Sequence, residues 1–314
     1  MKHIVHITQS LLVALVLIPQ VVIARGPLLE GALVSTEWLA GQLDDPDLVL
    51  LHVGSPDEYA EVHLPGARLI SPQALMTQSP EGIDHEMSSV ADLDSAFEAV
   101  GVSDNSTVVI YSAVERGAYM AARVYLTLDY LGMGDRIALL DGGLPQWVAE
   151  ERPVTGEVTE FEPGVLEPQV NHDVIVSADW LVEHLRDPEV VIVDARPVKS
   201  YEGHKAGGGK RPGHIAGAHS LVFTTMVLDD QPNKFKSERE LHQLFSDASA
   251  SKGSQIVIYC GTGIWACQVY MAARHLGYDV RLFDGGYQEW TADESRPIVA
   301  PVKTSLLKKI FKKR

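Results

Sequence analysis

The chain has 314 residues, enough for two domains of ordinary size, and its 46% hydrophobic and 22% charged residues are the balance of a globular protein. A formal net charge of −16 argues against nucleic acid as a partner, because phosphate contacts need clustered Lys and Arg. Two cysteines provide no disulfide framework, no Cys-based zinc cage and no Cys-x-x-Cys redox pair.

Residues 1–24 read as a secretory signal peptide. Lys2 supplies the positive start, Leu11 to Ile18 the apolar core, and Val22-Ile23-Ala24 the stretch before a cut. Pro19 and Gln20 interrupt the run, which leaves it too short for a comfortable anchor helix. No Cys follows for lipid attachment, so the expectation is export, with the bacterial periplasm as compartment.

From about residue 30 the sequence repeats itself. Val34-Ser35-Thr36-Glu37-Trp38-Leu39 returns as Val176-Ser177-Ala178-Asp179-Trp180-Leu181, with Ser35 and Ser177 as candidate helix N-caps. Asp45-Pro46 returns as Asp187-Pro188, each ahead of an apolar strand. His63-Leu64-Pro65-Gly66-Ala67 returns as His214-Ile215-Ala216-Gly217-Ala218. Leu140-Asp141-Gly142-Gly143 with Trp147 matches Phe283-Asp284-Gly285-Gly286 with Trp290, and Arg152-Pro153 and Arg296-Pro297 close the units. Strands alternate with helical stretches in both, so the expected fold is α/β: two duplicated domains, 30–152 and 174–300, each a mostly parallel sheet with helices on both faces. Residues 153–173, with Gly, Pro and Glu and little periodicity, are the linker, expected to wrap across the domain surface.

The copies differ where strand Val108–Tyr111 matches strand Ile256–Tyr259. The first runs into Ser112, the second into Cys260-Gly261-Thr262-Gly263-Ile264-Trp265-Ala266, followed by a helical pattern to Leu276 stopped by Gly277. Cys260 therefore sits at the C-terminal tip of a strand, the ligand-binding edge of an open α/β sheet. Loop N–H groups and a helix N-terminus beside it are expected to ease loss of the thiol proton. An isolated Cys is as often a small core hydrophobe, and the residues alone leave both readings open. Cys267, about two turns along the same helix, is expected to fill core space rather than to close a disulfide with Cys260. The second copy also carries an insertion, 203–212, whose Lys205, Lys210 and Arg211 among flexible glycines suggest an anion-facing loop, or simply a solvated one. In the tail, 303–314, Leu306, Leu307, Ile310 and Phe311 recur at helical spacing between Lys and Arg. That pattern fits a basic amphipathic segment making peripheral membrane contact, or a frayed solubilising end.

The order strand-Cys-Gly-Thr-Gly-x-x-Ala-helix, then Asp284-Gly285-Gly286 and Trp290, together with the repeat, resembles the tandem rhodanese-like sulfurtransferases over about residues 30 to 300. The resemblance implies a silent first domain and an active site in the cleft between the halves. Cys260 would carry a persulfide, taking sulfane sulfur from a small anionic donor and passing it to cyanide or a thiol, with neither metal nor organic cofactor. Gly261 to Ala266 would form the active loop, with Thr262 adding a hydroxyl. Arg211, Lys210 and Lys205 would hold the donor and His63 would assist. Cys-Gly-Thr-Gly resembles the 3-mercaptopyruvate enzymes, whereas thiosulfate-preferring members usually carry a cation after the Cys. The chain departs from both: Trp265 replaces a small hydroxyl residue, Ser200 stands where a substrate-binding Arg is common, and His52 where Asp is. A Cys-based phosphatase would need an Arg ending the loop, where Ala266 stands. The alternative from another class is a non-turnover sulfur carrier or docking protein at the membrane surface.

Overall fold

The computed structural model describes Leu29 and residues 31–301, so the expected signal and basic tail lie outside the described residues. In the first half, β1 (Leu33–Val34), β2 (Leu48–Val53), β3 (Arg68–Ile70), β4 (Thr107–Ser112) and β5 (Ile137–Leu140) form one parallel sheet in the order β1-β5-β4-β2-β3. In the second, β6 (Val190–Asp194), β7 (His219–Ser220), β8 (Gln255–Tyr259) and β9 (Asp279–Leu282) are parallel in the order β7-β6-β8-β9. Ile175 bridges Leu282 on the outer side of β9, where β1 lies in the first sheet. The repeat in sequence is thus a repeat in topology, and each expected sheet is parallel with helices on both faces.

Strand β4 is buried at every residue because both faces are covered, which is why it reads as a near-continuous apolar run. One face of each sheet closes over its own small core, around Leu39 and Trp147 in the first domain and Leu181 and Trp290 in the second. On the other face, helix α1 (Ala118–Tyr130) packs against helix α2 (Ala266–His275), and the two domains pool one hydrophobic core between them.

The repeated motifs have structural reasons. Ser35 and Ser177 each accept a backbone N–H, from Trp38 and Trp180, at 3.1 Å. The indole N–H groups of Trp147 and Trp290 donate to Pro153 and Pro297 at 2.8 and 3.0 Å, which ties down each Arg-Pro end. Tyr111 and Tyr259 accept the N–H groups of Leu64 and Ile215, at 3.2 and 3.1 Å, inside the His-x-x-Gly-Ala turns. The aspartates of the Asp-Gly-Gly motifs reach across the interface: Asp141 accepts from Phe235 N–H at 2.8 Å and Asp284 from Met87 N–H at 2.7 Å.

The segment after Pro153 runs without helix along the first domain. Gly164 donates to Glu98, Gln169 to Leu131 and Asn171 to Tyr130, at 2.8 to 3.0 Å. Among the described residues, no helix is long and apolar enough to cross a membrane.

Candidate active site

Strand β8 ends at Tyr259 and α2 begins at Ala266, so Cys260 opens the turn between them. The thiol is 2% exposed, and the N–H groups of Thr262, Trp265 and Ala266 point at its sulfur. Glycines make this turn possible. Gly263 has φ of 81°, and a Cβ on it would stand 2.5 Å from Asp284 Oδ1. Gly286, at φ 56°, lets the following helix approach closely enough for Tyr287 N–H to donate to the Cys260 carbonyl at 2.8 Å.

The expected easing of proton loss does not appear in this state. Burial pushes the Cys260 thiol above its ordinary pKa, and the three N–H donors, which favour the thiolate, do not outweigh it. Cys267 is a free thiol like Cys260 and donates to the Gly263 carbonyl at 3.2 Å. Burial pushes it up to about 12.

Cys260 faces a cavity of about 810 Å³ that takes cationic and neutral polar groups but no carboxylate into its wall. Lys199, Lys205 and His85 line it, with Ser200, Thr262 and Trp265. Of the basic residues expected to hold a donor, only Lys205 is there. Lys210 is exposed, its N–H spent on Thr291 at 2.9 Å. Arg211 is turned away, with its guanidinium donating to the carbonyls of Asp293, Glu294 and Arg296 at 2.8, 3.3 and 3.0 Å. It fastens the chain beyond the last helix instead of facing an anion.

The insertion is a packed cover rather than a flexible rim. A Cβ on Gly208 would stand 2.9 Å from Gly261 Cα, so the loop lies directly on the Cys turn. Arg196 supports it from below: fully buried and paired to Asp194 at 2.6 Å, it donates to the Gly213 carbonyl at 2.8 Å and lies 3.8 Å from the Tyr287 ring centroid.

His63 is not at the site. It is buried in the first domain, stacked 4.0 Å from the Tyr59 ring, with its ring nitrogens against the Tyr59 and Glu157 carbonyls at 2.6 and 3.2 Å. The histidine at the catalytic turn is His85, reaching in from the first domain with Nδ1 3.1 Å from Thr262 Oγ1. Its backbone is left-handed, φ 63°, and its carbonyl accepts from Arg123 Nη2 at 3.0 Å. Arg123 is wholly buried and forms a bidentate ion pair with Asp284. The sequence signal for His85 is weak: a single His in a turn-rich stretch with no counterpart in the repeat.

The first domain's corresponding loop is closed. Ser112 donates to the Val114 carbonyl at 2.9 Å. The N–H groups of Gly117 and Ala118, at the start of α1, both go to Asn233 Oδ1, at 3.0 and 3.2 Å. Asn233 comes from the second domain and also donates to the Val114 carbonyl at 2.7 Å. Trp265, 37% exposed, stacks on Phe223 with ring centroids 5.1 Å apart.

Comparison with known proteins matches the rhodanese-like domain family at residues 35–150 and again at 177–293. A probable 3-mercaptopyruvate sulfurtransferase of Pseudomonas aeruginosa is 31% identical over 279 residues, covering 85% of this chain and 97% of the relative. The sulfur carrier protein TtuD of Thermus thermophilus is 30% identical, over 82% of this chain and 93% of the relative. Thiosulfate sulfurtransferase of Rattus norvegicus is 29% identical, over 82% and 91%. Among solved structures, SseA from Escherichia coli superposes with a TM-score of 0.70 at 24% identity, covering 82% of this chain and 99% of that one. The anaerobic ergothioneine biosynthesis enzyme of Chlorobium limicola gives 0.74 at 23%, covering 87% and 71%. Both likenesses speak to the fold.

Proposed function

This chain belongs to the rhodanese-like domain family, in tandem form, and is a sulfurtransferase; from that premise we propose that it carries sulfane sulfur as a persulfide on Cys260. The observation that carries the reading is the setting of that thiol. It lies under three N–H donors at a strand tip and faces a cavity with Lys199, Lys205 and His85 but no carboxylate, in a chain of net charge −16. The Cys260 thiolate attacks the donor's terminal sulfur. A new S–S bond forms, the donor's bond to that sulfur breaks, and the anionic remainder leaves with the electron pair. Cys260–S–SH remains until a nucleophilic acceptor, cyanide or a thiol, takes the outer sulfur.

The donor assigned is 3-mercaptopyruvate. Gly261 and Thr262 put no cation directly after the thiol to meet the sulfonate oxygens of thiosulfate, and the Pseudomonas aeruginosa relative bears the 3-mercaptopyruvate sulfurtransferase name. Intact-mass spectra after incubation with 3-mercaptopyruvate or thiosulfate test both points. The wild-type chain is expected to gain one sulfur atom, more readily from 3-mercaptopyruvate, and Cys260→Ala to gain none. No gain from either donor would sink the reading.

A second reading, a carrier that passes its persulfide to a protein partner without small-molecule turnover, is favoured by the similarity to TtuD. Steady turnover with cyanide would exclude it. Export to the periplasm and a cleaved segment 1–24 are part of the proposal, checked by N-terminal sequencing of the protein from fractionated cells. Membrane contact through 303–314 is checked by sedimentation with anionic vesicles.

A further inference from the structure

The first domain holds a second cavity of about 800 Å³, at the C-terminal ends of β2 and β4, in the place that the catalytic cavity holds in the second domain. The two cavities share Tyr119, Met120 and Trp265, so they adjoin along these three side chains. Their charges are opposed. Glu58, Glu115 and Asp229 line the first-domain cavity against one cation, Arg116, whereas the catalytic cavity has cations and no carboxylate.

The floor also differs. Counting two residues on from the paired strand ends His52–Tyr111 and Asp194–Tyr259, Gly54 stands where Arg196 stands. In the second domain the Arg196 side chain fills that space and pairs with Asp194. In the first, Gly54 takes that place, and a Cβ built on it would stand 2.7 Å from both Ala113 Cβ and His52 Nε2, so bare backbone packed on those side chains forms the floor. With the aromatic rings of Tyr119, Phe223 and Trp265 as its wall and a few convergent charged groups, the cavity has the form of a small-molecule site.

We propose that this cavity binds the second substrate, a low-molecular-weight thiol with an apolar body and no negative charge, which reaches the persulfide across Trp265. The proposal rests on the persulfide reading above. In the transfer step the acceptor thiolate attacks the outer sulfur of Cys260–S–SH. The new S–S bond forms on the acceptor, the bond to Cys260 breaks, and its electron pair stays on Cys260, which recovers the proton lost by the acceptor. No oxidant or reductant enters. Donor and acceptor then occupy different cavities and do not compete, unlike two substrates taking turns in one.

The test uses the full chain and two substitutions on loops of the first-domain cavity that do not line the catalytic one, Val114→Trp and Leu228→Trp. The enzyme is loaded with sulfur, and single-turnover discharge is followed with benzyl mercaptan, 2-mercaptoethanesulfonate and cyanide. Wild type is expected to half-saturate with benzyl mercaptan well below the sulfonate. Each substitution is expected to raise the benzyl mercaptan value about tenfold or more while leaving loading and cyanide discharge unchanged. If one variant does not fold, the other carries the test. Unchanged half-saturation, or equal slowing of cyanide, overturns the acceptor site. A wild-type chain that never gains a sulfur atom overturns the persulfide reading instead, so the two failures are told apart.

Discussion

At Cys260 two influences oppose each other: burial disfavours the thiolate, and three backbone N–H groups favour it. Burial prevails, so the sign of the pH dependence follows. Only the thiolate attacks the donor, and its fraction rises with pH until the folded-state pKa is passed. The rate of persulfide formation under single-turnover conditions should therefore climb about tenfold per pH unit and continue past about 8.5, the value for a free Cys. A plateau already reached near neutrality would contradict the burial argument. The residue scale is also where the sequence misled. Lys-and-Arg content marked 203–212 as an anion-facing loop or a solvated one; Lys205 does line the catalytic cavity, but Arg211 found three carbonyl oxygens closer to hand. His63 carried the right residue type in a repeated motif, yet the motif's role is to build a turn. His85 meets Thr262 across 177 residues of chain, a juxtaposition that no local pattern encodes.

At the scale of elements, α1 and the catalytic turn are joined by one buried ion pair. Arg123 binds the Asp284 carboxylate and the His85 carbonyl together, so it fixes the turn, the Asp-Gly-Gly corner and the histidine in one frame. Replacing it by Leu leaves Asp284 buried without its partner charge. The expected cost is about 3 kcal/mol or more, seen as a lower denaturation midpoint, with a larger loss in kcat than a uniformly loosened fold would give. A variant as stable as wild type would show that water or another cation takes over. Much of the element structure was legible beforehand: strand ends, Ser caps and the glycine stop after α2 are written in short-range patterns. The fasteners between the halves were not, because Arg123–Asp284 and Tyr270–Asp129 join residues 161 and 141 positions apart.

For the whole molecule, the pooled core between α1 and α2 makes the two domains one thermodynamic object. Each half would expose a face of that core if the other unfolded, a penalty that grows with apolar area at about 25 cal/mol per Å². Calorimetry should therefore show a single unfolding transition for both domains, and two separated transitions would mean that the interface is weaker than its burial implies. The duplication itself was legible because repeats in sequence preserve strand order. That a buried arginine in the second copy becomes a glycine over an open cavity in the first was not, since only superposed strand ends reveal the correspondence.

Asn233 has a consequence for stoichiometry. By taking the two N–H groups at the start of α1, it makes the first domain's counterpart of the catalytic turn a clasp between the copies. Restoring the missing nucleophile with Ser112→Cys should thus leave the chain at one sulfur per molecule, as intact-mass spectra after donor treatment would show. Loss of the second site is locked in by the partner domain, and the enzyme counts to one because its halves hold hands through the seat of the other.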